Sequence, residues 1–263
     1  MALIQSFEKT GNTLFKYRGQ IPALIFLLAI PIVWFSNQDL YMQLFVGQRH
    51  FLRILLTVAG IVVTILGLLL RAYTVSTTPK GTSGRNTDKQ VADHLNTKGI
   101  YSVVRHPLYL ANYLLWAGVL IFSMNLWAFL IVSLVYWIYY ERIMFAEEAF
   151  LRNKFGQEFE EWAANVPAFI PNWDLYEKGD LEFSFKTFVR REYVTIFSAV
   201  FSFTVADYLL FLLSYARFFG YKISTASWFR PSLYIFVVCL VGMLVIRTIK
   251  HHTKLLNADA SRD

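Results

Sequence analysis

The sequence predicts an all-α membrane protein of about six transmembrane helices, with a helical hairpin and a polar small-molecule pocket at its cytosolic end. Three observations predict it. The chain is 56% hydrophobic and only 16% charged, where a soluble domain carries about 25% charged residues. Its apolar residues fall into runs near the roughly 20 helical residues that cross a bilayer core. And Arg105-His106-Pro107 and Glu147-Glu148 stand at the two mouths of one apolar hairpin, where charge is costly to place.

The first 20 residues are polar and carry Lys9, Lys16 and Arg18. The first apolar run, 21–35, ends in Trp34-Phe35-Ser36-Asn37. That ending lacks the small-x-small pattern of a cleavage site, so a retained membrane helix is expected and not a signal peptide. The second run is 51–70. The third and fourth, 108–122 and 126–140, are separated only by Ser123-Met124-Asn125, a joint short enough to force an antiparallel hairpin. Runs 193–215 and 231–249 are the fifth and sixth. Between hairpin and fifth run, Phe150, Leu151, Phe155, Phe159, Trp162 and Val166 recur at helical spacing among charged residues. This predicts an amphipathic helix over 146–166 at the interface, with Gly156 as a break. Two units are expected, a membrane core over 1–177 and a two-helix membrane extension over 178–263.

Six spans put both termini on one face. Arg49, Arg53, Arg217, Lys222 and Arg230 fall on the opposite face, and the other 20 of the 25 Lys and Arg fall on the face of the termini. The positive-inside rule then makes both termini, the 71–107 loop and the 141–191 segment cytosolic. The loop stretch Thr77-Thr78-Pro79-Lys80-Gly81-Thr82-Ser83-Gly84 is polar and turn-rich, which suits it to water. The net charge of +7 is explained by this topology and not by a nucleic-acid partner. Cys239 is the single cysteine, so no intrachain disulfide forms. His50, His94, His251 and His252 show no metal-ligand spacing, and no zinc site is expected. No glycine-rich nucleotide motif and no G-x-S-x-G elbow appears.

Pro107 suits the first helical position, because its missing N–H would be unpaired there anyway. His106 then lies at the N-cap, where free N–H groups and the positive end of the helix dipole favour a carboxylate or phosphate. Arg105 adds a bidentate anion donor. Interfacial anchoring is an equal reading of Arg105 and His106 on local pattern alone. Glu147 and Glu148 read either as solvated carboxylates paired with Arg142 and Arg152, or as groups turned back to the bundle. Phe201, Phe203, Tyr208, Phe211, Tyr215, Phe218 and Phe219 form an aromatic face, read as lipid-facing packing.

The stretch Gly99-Ile100-Tyr101-Ser102-Val103-Val104-Arg105-His106-Pro107-Leu108-Tyr109, followed by Glu147-Glu148, Phe155-Gly156-Gln157-Glu158-Phe159 and Pro167…Ile170-Pro171, resembles the isoprenylcysteine carboxyl methyltransferase family. Phospholipid methyltransferases are related to it. The likeness runs over about 85–172. It implies an integral-membrane methyltransferase that uses S-adenosyl-L-methionine on the cytosolic side. Carried over by position, Tyr101, His106, Pro107, Leu108, Tyr109 and Glu147 are cofactor contacts, with His94, Leu95 and Asn96 completing the pocket. Ile143 stands where eukaryotic prenylcysteine enzymes carry an arginine, with Arg142 beside it. Arg105 and Arg142 are the candidates to orient an anionic acceptor. The implied partner is a lipid or lipidated substrate arriving from the bilayer: a prenylcysteine carboxylate, a phosphatidylethanolamine amine or a lipid phosphate. The implied site is the inner membrane in a bacterium and the endoplasmic reticulum in a eukaryote. Two other readings share the scaffold: an NADPH-dependent sterol-type reductase, and a lipid-binding scaffold without catalysis.

Overall fold

A computed structural model describes residues 3–36, 50–79, 90–218 and 228–257. Within them every regular element is a helix, apart from one isolated bridge between Gly99 and Glu177. Parts of the 77–84 stretch and of the aromatic face over 201–219 lie outside the described residues.

The chain starts with α1 (Leu3–Lys16), which buries Gly11 and Phe15 and exposes its polar side. The sequence reading saw only polar character here. The first apolar run then forms two short helices, α2 (Ile21–Leu27) and α3 (Ala29–Phe35), bent 89° from α1. Pro31 accounts for the break at Leu28, because its ring clashes with the carbonyl four residues earlier and it has no N–H to donate.

The second run lies in α4 (His50–Thr77), whose 28 residues reach about 42 Å at 1.5 Å per residue. This overshoots the predicted boundary and carries Arg71 beyond the apolar run. α5 (Pro107–Phe122) has 16 residues and α6 (Leu126–Phe155) has 30. The hairpin between them forms as expected. Met124 turns the chain at φ 56°, and the Asn125 side chain caps α6 by accepting from Ala128 N–H at 2.8 Å. The two helices run antiparallel, since Tyr113 bonds to Ser133 at 3.1 Å while the Tyr136 hydroxyl reaches back to the Tyr109 carbonyl at 3.0 Å.

The most extensive helix contact is between α4 and α5. It is a small-residue seam. A Cβ on Gly67 would stand 2.8 Å from the Ala111 carbonyl, and one on Gly60 2.5 Å from that of Gly118. Thr64 bonds across the seam to the Leu115 carbonyl at 3.2 Å. Without water to expel, membrane helices associate through such close backbone approach. α1 packs on the C-terminal half of α6 by the same device, with Gly11 against the backbone of Arg142.

The 146–166 segment is helical with its break at Gly156, as expected, but its first half belongs to the preceding span. Residues 146–155 continue α6 without interruption, because nothing between Tyr140 and Phe155 breaks a helix. Gly156, at φ 56°, ends it, and a separate α7 (Gln157–Asn165) follows with Phe159 buried. A strap over 166–184 leads to α8 (Phe185–Phe218), which packs on α4 and α5, and α9 (Pro231–His252) packs on α8 and buries none of its residues. All six predicted apolar runs thus lie in helices. α4, α6, α8 and α9 are each long and apolar enough to span a bilayer, α1 with α2–α3 makes a bent fifth, and α5 is apolar but shorter.

Candidate functional site

The hairpin fixes the site. Because α5 and α6 are antiparallel, the start of one and the end of the other meet on one membrane face. Pro107 opens α5 and His106 is its N-cap, with φ −119° and ψ 61°. The imidazole caps no backbone group. It turns to α6 instead, with Nε2 2.9 Å from a Glu148 oxygen and Nδ1 3.6 Å from a Glu147 oxygen. Glu147 also accepts from the Tyr109 hydroxyl at 2.7 Å and lies 3.9 Å from the Arg18 guanidinium. Glu148 pairs with Arg105 at 3.3 Å.

The backbone around the motif is pinned by the strap. Arg105 and His106 donate their N–H groups to the carbonyls of Pro167 and Ala168 at 2.9 and 3.2 Å. Trp162 donates its indole N–H to the Tyr101 carbonyl at 3.1 Å, and Glu177 N–H reaches the Ser102 hydroxyl at 2.9 Å. Residues far apart in sequence therefore set the motif's geometry before any ligand arrives.

His106 is 7% exposed. Burial opposes its charge, but the hydrogen bonds and negative charges of Glu147 and Glu148 outweigh that and raise its pKa above the ordinary 6.5. A protonated imidazole donates its Nε2–H to Glu148 at 2.9 Å and faces Glu147 across a longer ion pair of 3.6 Å. The Tyr101 phenol is pushed up as well, first by burial and then by the Glu147 charge. It stays a neutral hydrogen-bonding group at any physiological pH.

These side chains line a cavity of about 610 Å³, a size typical of small-molecule sites. His94, Leu95, Asn96, Tyr101, Arg105, His106, Pro107, Leu108, Tyr109 and Glu147 all stand on its wall, with Glu148 beside them. Arg142 does not. Its guanidinium lies 3.7 Å over the Phe7 ring of α1. It lies five positions before Glu147, which turns it about 140° away at 3.6 residues per turn. The structure thus does not bring Arg142, expected to orient an acceptor, together with the other candidate residues. Ile143 is fully buried in the apolar core.

The cavity also takes residues the sequence reading passed over. Arg18 comes from the α1–α2 turn, Arg71 from α4, Asn112 from α5, Tyr140 from α6, and Arg191 and Glu192 from α8. Arg71 and Arg18 sit at the ends of apolar runs and were absorbed into the topology count. Asn112 is a polar residue inside an apolar run, which is a signal of function in membrane helices. The wall thus offers carboxylates for a cation at one place and guanidinium groups for an anion at others. Among the described residues no three His, Cys, Asp or Glu side chains are placed to hold a metal ion.

Comparison with known proteins falls on the same stretch. The family model of phospholipid methyltransferases matches residues 55–158. The chain is 33% identical over 119 residues to a probable protein-S-isoprenylcysteine O-methyltransferase of Oryza sativa subsp. indica, covering 43% of this chain and 59% of that protein. It is 35% identical over 108 residues to the protein-S-isoprenylcysteine O-methyltransferase of Schizosaccharomyces pombe, covering 40% of this chain and 45% of the yeast protein. The cobalt-zinc-cadmium resistance protein CzcN of Cupriavidus metallidurans is 35% identical over 94 residues, 36% of this chain and 41% of its own length. The chain therefore spans less than two thirds of each of these relatives. No solved structure matches it.

Proposed function

We propose that this isoprenylcysteine carboxyl methyltransferase-like membrane protein transfers a methyl group from S-adenosyl-L-methionine to a lipid or lipidated acceptor at the cytosolic membrane face. The likeness of its central stretch to that family and to the phospholipid methyltransferases is the premise. The observation that carries the reading is the cavity itself. Every residue to which the resemblance gives a cofactor contact lines it, and the adjacent carboxylates Glu147 and Glu148 are both among the lining residues.

The residues suit the donor. S-adenosyl-L-methionine supplies an electrophilic methyl on a sulfonium, together with an ammonium, a carboxylate and ribose hydroxyls. Glu147 is suited to the ammonium or the hydroxyls. The first turn of α5 presents N–H groups without intrahelical partners, which suit a carboxylate. Trp162 and Tyr101, on the wall, offer apolar faces to an aromatic base.

The chemistry asks little more of the protein. An acceptor carboxylate or phosphate is already ionised, so a bound S-adenosyl-L-methionine would supply the methyl to its oxygen and keep the C–S electron pair on sulfur, with no proton for the protein to move. The side chains then act by holding the two partners in line and excluding water. No metal or general base is required for such an acceptor, whereas an amine acceptor would need a proton sink. The positive-inside count over the sequence supports a cytosolic site and cytosolic termini.

The test is radiolabelled methyl transfer from S-adenosyl-L-methionine into a lipid extract by the purified protein, with identification of the labelled species. Thermal shift with S-adenosyl-L-methionine, its demethylated product and NADPH accompanies it. Stabilisation by NADPH and not by S-adenosyl-L-methionine refutes the reading in favour of a reductase.

A further inference from the structure

Beyond the hairpin, two helices place charge in the cavity wall, and they do so as a built unit. Arg71 of α4 is gripped by Glu192 of α8. Its Nε donates to one carboxylate oxygen at 2.7 Å and its Nη2 to the other at 3.0 Å. Its Nη1 donates to the Asn112 side-chain oxygen of α5. Glu192 is 1% exposed, and both residues of the pair line the cavity.

A guanidinium has five N–H donors in one plane. The fork to Glu192 and the bond to Asn112 use three and fix that plane. Two donors, one on each Nη, are left on a head group that stands at the cavity wall. The wall as a whole carries Arg18, Arg71, Arg105 and Arg191 against Glu147, Glu148 and Glu192, a positive excess even before His106 is counted. A methyl donor that is itself a net cation does not call for that excess. An anionic second ligand does.

We propose that Arg71 is the group that recognises the anionic end of the methyl acceptor, and that Glu192 is the positioning residue that aims it. This rests on the methyl-transfer reading above. On this view α8 is part of the active site, so the C-terminal extension supplies a working residue and is more than a brace. The competing role is a buried staple holding α8 to α4, and kinetics separates the two. A carboxylate loses its charge as it takes the methyl group, so its contact with Arg71 is strongest before the reaction. Weakening Arg71 therefore raises KM and does not lower kcat in proportion.

The full chain in lipid nanodiscs is tested with S-farnesylcysteine and its carboxamide, which differ by the anionic charge. Equilibrium binding of each is measured, as is turnover with S-adenosyl-L-methionine. The wild type is expected to bind the carboxylate about tenfold or more tighter than the carboxamide, an ordinary margin for one charged contact. Arg71→Gln removes that discrimination. Arg71→Lys, which keeps the charge and gives up the fork, reduces it several-fold and covers the case in which Arg71→Gln does not fold. Glu192→Gln raises KM for the carboxylate with kcat within about threefold. The exchange of Arg71→Glu with Glu192→Arg recovers melting temperature but not discrimination. Equal binding of both probes by the wild type, unchanged discrimination in Arg71→Lys, or recovery of discrimination by the exchange overturns the proposal. Carboxylate discrimination by the wild type with no methyl turnover from S-adenosyl-L-methionine overturns the methyl-transfer reading alone.

Discussion

Glu147→Gln and Glu148→Gln divide the work of two adjacent carboxylates. Glu148 is matched by two cationic partners at close range, His106 at 2.9 Å and Arg105 at 3.3 Å. Glu147 has a phenol at 2.7 Å, while its cationic neighbours stand off at 3.6 and 3.9 Å. Glu147 therefore keeps more unspent negative charge for a bound cation. A hydrogen bond to a charged group contributes about 1.5–3 kcal/mol. The Glu147 side chain is 24% exposed, so full interior Coulomb values do not apply. Losing its charge is expected to weaken S-adenosyl-L-methionine binding by about ten- to a hundredfold. The cost in fold stability is expected to stay under about 1 kcal/mol, because Gln still accepts from Tyr109. Glu148→Gln is expected to do the reverse. It leaves Arg105, at 17% exposure, without its carboxylate, and costs about 1–3 kcal/mol of stability, with affinity changed less than about fivefold. Isothermal titration with the cofactor and thermal unfolding of the same detergent-solubilised samples measure both quantities. Unchanged affinity in Glu147→Gln, or a larger affinity loss in Glu148→Gln, refutes the assignment.

The other predictions follow from single contacts. Arg142→Ala loses its cation–π contact with Phe7 and is expected to cost about 1–2 kcal/mol, with cofactor affinity unaltered in the same titration. Gly118→Val drives a side chain into Thr64 and the Gly60 carbonyl. Backbone cannot yield cheaply there, so a loss of about 3 kcal/mol or more is expected from thermal unfolding. For pH, the folded His106 value is raised above 6.5, so its charge stabilises the fold fully below that value. The contribution fades as pH rises through the raised folded value. The stability difference between wild type and His106→Gln should accordingly be largest below the ordinary value of 6.5 and shrink as pH rises above it in melting curves taken at roughly half-unit steps. A difference that grows with pH contradicts the protonated imidazole.

The part of the cavity lining that surrounds His106 was legible because its parts are local. Tyr101, His106 and Tyr109 follow one another through a short 3-10 turn and the start of one helix, so spacing along the chain nearly equals spacing in space. Glu147 came within reach through the hairpin, whose turn the sequence states outright. The arginine-bearing part of the lining was not legible, because Arg18, Arg71 and Glu192 come from three elements with no fixed separation in sequence. Each reads, taken singly, as a charge at the end of a membrane span.

Arg142 shows the complementary limit. Its place beside Ile143, where the resemblance puts an arginine, suggested a shared site, yet helical phase turns it toward α1. The same holds for α1 itself, whose polar composition hides the Gly11 and Phe15 stripe that lets it press against α6. By itself the sequence determined the membrane class, the apolar runs, the hairpin and one wall of the cavity, since hydropathy, turn chemistry and local motif are properties of neighbours along the chain. Only the tertiary structure decided which guanidinium groups face the cavity, because that depends on the rotation of each helix about its axis and on the glycine contacts that lock those rotations in place.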